Sequence, residues 1–334
     1  MSKTKKIVTG IFLLVIVAML VKYVAATDFT VMLDYMAAAP SLIPLLILVS
    51  FLGHLTGTIA WKLVLGEEST KVSLGELFFF RLICENLTIF NPTTIIAGDG
   101  LKGVFLSKKQ ISPDVNMASV LLSRVLLIVT AVLLVVISMI YLVVTTAGLS
   151  VPTLVVPLLV LVSIAIMVGL LYLLLHKDLY LHRLVSRLQH TYLGRWLSDD
   201  LLLRIADING SLRDFYRGYK WRLSGAFVLS LLHWVCGALE FYLILKFFDM
   251  PISIIDAVVI EMGVIGFKAA GSMIPGQIGV EEYGNKVMLN IAGIVGNEIW
   301  LIVSLLRRGR QMFWLLVTAP ASIIMYKRYK VQVS

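Results

Sequence analysis

The chain reads as long apolar runs separated by short polar ones. Six runs carry about 20 or more mainly apolar residues, the length that crosses roughly 30 Å of hydrocarbon as a helix: Ile7 to Ala26, Leu42 to Leu65, Met117 to Thr145, Pro152 to Leu175, Ser224 to Phe247 and Asn297 to Tyr326. The apolar residues are continuous rather than alternating, which excludes an outer-membrane barrel. The first run ends without a clear small-x-small cleavage site, so it is expected to be a retained helix and not a signal peptide. Two further stretches, Leu77 to Gln110 and Ile252 to Gly293, fit neither span nor loop. Each has an apolar arm, a Pro/Gly-rich turn (Asn91 to Gly100, Pro275 to Gly279) and a second arm. Such arms are too short to cross twice, which predicts re-entrant helical hairpins. Irregular backbone at membrane depth must be buried in protein or line a wet cavity, so the turns are expected inside the bundle.

Composition agrees with this pattern. Of 334 residues, 59% are hydrophobic and 15% charged, against about 45–50% apolar and about 25% charged in soluble domains. A soluble enzyme, a secreted disulfide scaffold and a disordered regulator are thereby excluded. Cys84 and Cys236 both lie in apolar stretches and suggest no disulfide framework. The formal net charge of +9 is concentrated between His176 and Arg222 and at the two termini. The positive-inside rule places these segments in the cytoplasm, predicting a multi-pass protein of the cell (inner or plasma) membrane with both termini cytoplasmic. The charge is therefore not a nucleic-acid signal. With Tyr180, Leu184, Leu188, Tyr192 and Trp196 interleaved, residues 176–222 read as an amphipathic insertion resting on anionic lipid, a protein-docking surface being the alternative.

The hairpins are related by a fixed offset. Pro92 and Pro275 lie 183 positions apart, as do Asp99 and Glu282, and Arg124 and Arg307. The inside/outside count gives the two hairpins opposite entry sides. The expected fold is an all-α polytopic bundle of about six spans and two re-entrant hairpins in an inverted-topology repeat. It forms a single integral membrane domain over 1–334, with halves 1–150 and 151–334 and the site near the midplane between them.

Intramembrane charges cost about 2.5–3.5 kcal/mol each on insertion scales, so each needs a partner or a task. Arg124 lies roughly 12 Å into its predicted span and Arg307 about 15 Å into its own. Two readings follow: the arginines hold a headgroup phosphate, or they pair with Asp99 and Glu282. A third reading makes Arg307, Arg308 and Arg310 a basic cluster at a helix end. Gly98, Gly100, Gly276 and Gly279 would let a phosphate approach the turn backbone at the start of each second arm, where unpaired N–H groups favour anions; tight turns also need glycine. Asp99 and Glu281 are either helix caps or first-turn acids, or contacts for a cationic headgroup or a proton. Arg81 with Glu85, and Glu261 with Lys268, are spaced for neutralisation within one helix. Glu240 is a further buried acid. His54, His233 and the cysteines read as packing rather than metal ligands. No GxxxxGK[ST] loop, GxSxG elbow or HExxH helix occurs, and no cofactor is expected.

The pattern Asn91-Pro92, Gly98-Asp99-Gly100-Leu101-Lys102, Arg124 and Pro275-Gly276-Gln277-Ile278-Gly279-Val280-Glu281 resembles the lysylphosphatidylglycerol synthase transmembrane-region family over essentially the whole chain. Lys102 stands where the family usually has arginine, and Ser123 where it commonly has an acid. The resemblance implies flippase-like movement of lipids between leaflets, the aminoacyltransferase chemistry of the family name belonging to a separate soluble domain. The expected function is thus a lipid flippase or scramblase, not an enzyme, acting on a membrane phospholipid or a polyprenyl-phosphate-linked substrate. The expected substrate-binding residues are Asn91, Gly98, Asp99, Lys102, Arg124, Pro275, Gly276, Gly279, Glu281, Glu282 and Arg307. The alternatives are an integral membrane enzyme transferring a group at a lipid headgroup, with Asp99 or Glu281 as base, and a regulatory partner of a membrane glycosyltransferase. A second copy of the chain or a membrane enzyme is the protein partner to test for.

Overall fold

A computed structural model describes residues 40–90, 94–145, 161, 165, 169, 219–271, 277, 279–295 and 299–329. Among these, every regular element is helical: α1 (Leu42–Val64), a short 3-10 helix (Gly66–Lys71), α2 (Leu74–Phe90), α3 (Thr94–Lys108), α4 (Pro113–Thr145), α5 (Lys220–Phe247), α6 (Ile254–Ala270), α7 (Val280–Ile291) and α8 (Ile299–Tyr329). The predicted span Ile7 to Ala26, nearly all of Pro152 to Leu175, residues 176–218 and both extreme termini lie outside the described residues.

Three described helices, α1, α4 and α5, are long and apolar enough to cross a membrane. On α4 the side chains of Met117, Leu121, Ile128, Ile137, Ile140 and Val144 face outward, as expected of a helix solvated by lipid rather than water. At 31 residues α8 is also long enough to span, but it carries Arg307, Arg308 and Arg310. These arginines lie in the interior of one continuous helix, so the helix-end reading of that triplet fails.

The stretches expected to be hairpins, Leu77 to Gln110 and Ile252 to Gly293, each hold two short helices, α2 and α3 in the first and α6 and α7 in the second. Both first arms start on the same device. Ser73 and Glu76 at α2, and Ser253 and Asp256 at α6, each bond reciprocally, side chain to backbone, satisfying N–H groups that a helix start leaves unpaired. The first turn is shorter than the glycines suggest. Helix α3 begins at Thr94, so Gly98, Asp99 and Gly100 are helical residues and not part of a loop. Adding the offset of 183 takes the end of α1, Val64, to the end of α5, Phe247, and the end of α3, Lys108, to the end of α7, Ile291. The element order α1 to α4 is the same as that of α5 to α8.

The chain divides into two compact units, Met1–His54 with Phe78–Val104 and Val235–Ser334, and Leu55–Leu77 with Phe105–Trp234. In the second unit Ala60, Val64, Ala118, Leu122, Leu126 and Ala226 form a core against which Leu63, Leu223 and Phe227 pack. Alanines at the crossing points let helices without a hydrophobic drive between them approach closely. At the polar end of this unit the loops are tied by charge. Glu68 accepts the Ser112 backbone N–H at 2.9 Å and lies 3.4 Å from Lys71, which donates to the Gln110 carbonyl at 2.7 Å. Lys109 meets Glu76 at 2.8 Å.

Burial alone would raise the Glu68 pKa, but the Ser112 hydrogen bonds and Lys71 outweigh it and hold the carboxyl below its ordinary range. A depressed folded-state value means that the carboxylate contributes stability above the unfolded value of about 4.3 and loses it as pH falls through the folded one. Glu68→Gln should therefore lower unfolding free energy at neutral pH by about 0.5–1.5 kcal/mol. Thermal unfolding in detergent should show the difference from wild type narrowing once the pH drops below about 4; a difference that widens on acidification would contradict this role.

Candidate functional site

The first unit holds a buried network of charges built on α5, α6, α7 and α8. It starts from a local feature of α7. Gly279 precedes that helix with φ of 81°, a left-handed conformation that glycine adopts without a side-chain clash. Its N–H donates to Glu282 Oε2 at 2.8 Å, so Glu282 closes the helix start. The buried residues of α7 are Glu281, Gly284, Asn285, Met288 and Leu289. This is a helical stripe headed by a glutamate, and packing the stripe inward carries the glutamate with it.

Helix α8 supplies the counter-charges. Arg307, 4% exposed, donates to Glu261 Oε2 of α6 at 2.8 Å. It also lies 3.5 Å from Glu281 of α7 and 4.0 Å from Glu240 of α5, with its guanidinium carbon 4.2 Å from the centre of the Phe241 ring. Arg310 takes the other Glu240 oxygen at 3.1 Å. Arg308 pairs with Glu282, and Lys268 with Glu281 at 3.4 Å. Glu261 lies against Gly237, where an added Cβ would stand 2.6 Å from its Oε1. A side chain there would push the acid off Arg307.

Among the described residues the network is balanced, with Arg307, Arg308, Arg310 and Lys268 facing Glu240, Glu261, Glu281 and Glu282. It is also graded in exposure. The Lys268 side chain is 29% exposed and that of Glu282 18%, while those of Arg307 and Glu240 are 5% and 3%. An outer edge of Lys268 and Glu282 therefore leads to buried Arg308, Arg307 and Glu240.

This corrects two expectations. Arg307 does not pair with Glu282, which instead serves Arg308 and the start of α7. Glu261 and Lys268 do not neutralise each other along α6; each reaches a different helix. Arg81 and Glu85 do pair along α2, at 2.7 Å. Asp99 is the sixth residue of α3, past the first turn, and its ion partner is Lys102 at 3.1 Å. Gly98 and Lys102 are buried. Arg124 is half-buried on α4 and belongs to the second unit, whereas Arg307 belongs to the first. Asn91, Pro275 and Gly276 lie outside the described residues.

A family model for the lysylphosphatidylglycerol synthase TM region matches residues 7–319. The chain belongs to that family. No match is found among curated proteins or among solved structures. A lysylphosphatidylglycerol synthase TM region is a membrane protein linked to lipid metabolism, and the apolar helices α1, α4 and α5 agree with that setting. In this family member the sequence reading named Arg307, Glu281 and Glu282, of which Arg307 meets Glu281 but not Glu282, and it left Glu240, Glu261, Lys268, Arg308 and Arg310 outside the site. The available signal was the spacing on α8, where Arg307, Gln311 and Trp314 recur at one helical face.

The network predicts a specific loss. Without Arg307, Glu240 keeps Arg310 and Glu281 keeps Lys268, but Glu261 is left with no ion pair among the described residues. Arg307→Gln should lower unfolding free energy by about 3–5 kcal/mol, the range for breaking a buried pair. Adding Glu261→Gln should recover most of it. Thermal unfolding of both variants checks this, and a double variant no more stable than Arg307→Gln alone would contradict the pairing.

Proposed function

We propose that the protein moves a phosphate-bearing lipid or lipid-linked headgroup between membrane leaflets, the tails remaining in lipid. The observation that supports this reading is the balanced network with an accessible edge. A phosphate entering hydrocarbon as an isolated ion faces a penalty of tens of kcal/mol on Born estimates. Guanidiniums offset much of that, since charge-assisted bonds to phosphate are about twice as strong as neutral ones. Lys268 and Glu282 stand at the edge, each paired with a buried partner, Glu281 and Arg308. A headgroup phosphate competes there with Glu282 and Glu281, and Arg307 lies beyond them as the deeper station. A network that is already neutral holds such a headgroup only transiently, because each displaced acid draws its arginine back. That reversibility suits transport better than storage.

The matching order of helices at the offset of 183 supports a repeat, and the charge pattern of the loops supports an inverted one. By that offset Arg124 is the first half's counterpart of Arg307 and a second candidate for meeting a phosphate.

Reconstituted vesicles with leaflet-specific fluorescent phospholipids test the reading. Arg308→Gln and Arg124→Gln should each slow lipid movement by about tenfold or more, the loss of one charge-assisted contact of about 1.5–3 kcal/mol at the barrier. Arg→Lys should retain part of the rate, as a point charge without the planar fork. Wild-type rates in both folded Gln variants would eliminate the phosphate-station mechanism.

A further inference from the structure

Helix α7 has a second face, opposite the stripe that carries Glu281 inward. On it Tyr283, Lys286 and Asn290 are exposed, Tyr283 at 61%, while the aliphatic side chains of α7 are buried or half-buried. The middle of the long helices shows the reverse. There the exposed side chains are apolar, such as Ile128 and Ile137 on α4, Val228 and Leu232 on α5 and Leu316 on α8. Those surfaces suit lipid. A helix of the same bundle that exposes tyrosine, lysine and asparagine suits water, because polar groups at membrane depth sit against protein or line a wet cavity.

The polar face is continuous with the charge network. Lys286 and Asn290 follow Glu282 at four-residue steps, so the three share one side of α7, about 6 Å apart along its axis. Glu282 is part of the accessible edge, paired with Arg308. Neighbouring helices fix two of the exposed side chains. Tyr283 packs edge to face on Phe267 of α6, ring centres 5.7 Å apart, and the Lys286 ammonium lies 5.6 Å from the centre of the Trp300 ring of α8. An ammonium at that distance is attracted to the ring face but keeps its N–H donors for another partner. Among the described residues no acid pairs with Lys286, whereas Lys268 is already held by Glu281. A phosphate at Lys286 therefore displaces no carboxylate, and the Tyr283 hydroxyl and Asn290 amide, three and four residues away, are further donors beside it.

We propose that this face of α7 is the water-facing wall along which a lipid headgroup reaches the network, with Lys286 as the cation that meets its phosphate first. One helical turn further along the wall is Glu282, where the exchange of ion pairs begins. That the phosphate belongs to a lipid rests on the function proposed above; the water-facing wall and its affinity for anions do not.

Thiol labelling in proteoliposomes tests the wall without reference to transport. In a Cys84→Ala, Cys236→Ala background, Tyr283→Cys should react with an anionic, water-soluble methanethiosulfonate at least about tenfold faster than Leu232→Cys or Leu316→Cys, since the reactive thiolate does not form in hydrocarbon. Adding Lys286→Gln should slow the reaction at Tyr283→Cys by about two- to fivefold, the scale of one exposed charge pair, and about 1 M salt should erase that difference. Labelling at Tyr283→Cys no faster than at the two control positions overturns the wall. Equal rates with and without Lys286→Gln overturn the anion site.

Movement of a fluorescent phospholipid in the same vesicles then tests the occupant. Lys286→Gln should slow it by about two- to fivefold at low salt, and Lys286→Arg should retain the rate. A wild-type rate in Lys286→Gln overturns the lipid phosphate as occupant. Labelling as described in a protein that moves no lipid would instead contradict the transport reading and leave the anion-binding wall standing.

Discussion

Arg307 is the charge that the first unit is arranged around. A guanidinium this deeply buried is costly unless its charge is met and its donors are bonded. Three helices answer that demand with Glu261, Glu281 and Glu240. Several local features follow from it. Helix α7 is amphipathic with a glutamate at the head of its buried stripe, Gly237 is bare where Glu261 passes, and Glu282 closes the start of α7 while holding Arg308.

Helix α8 extends the same logic along its length. Arg307, Gln311, Trp314 and Thr318 lie on one face at helical spacing, and each reaches a polar partner on another element: Glu261, Glu281, Ser50 and Asn86. In an apolar bundle such bonds specify register, since lipid-like side chains pack almost equally well in neighbouring registers. Pro320 follows this row, where the remaining helix exposes Ile323 and Ile324. The face that carries the Arg307 network thus also carries the Trp314 contact to His54.

The extent of the helices was legible in the residue pattern because it depends on local runs. The spans read as Leu42 to Leu65 and Ser224 to Phe247 are Leu42–Val64 and Lys220–Phe247, and each stretch read as a hairpin holds two short helices. The pairing of charges was less legible. Spacing along one helix correctly joins Arg81 to Glu85, but it also suggests Glu261 with Lys268, where each acid and base in fact meets a partner more than ten positions away. Sequence distance carries no information about such contacts. The turn before α3 was overextended for a different reason: Gly98 and Gly100 look like turn residues in water, yet glycine is common inside membrane helices, and here both are helical.

The central claim is that the α8 arginines exchange their acids for a lipid phosphate. Solid-state NMR on arginine-labelled protein in phospholipid vesicles measures this directly, through dipolar coupling between guanidinium nitrogen and lipid phosphorus. The account predicts a coupled population, at contact distances of about 4–5 Å, that disappears in Arg308→Gln, since a charge-assisted N–H···O bond to phosphate fixes nitrogen within about 2.7–2.9 Å of the bonded oxygen. Coupling that is identical in wild type and Arg308→Gln would come from surface arginines alone. It would contradict the account.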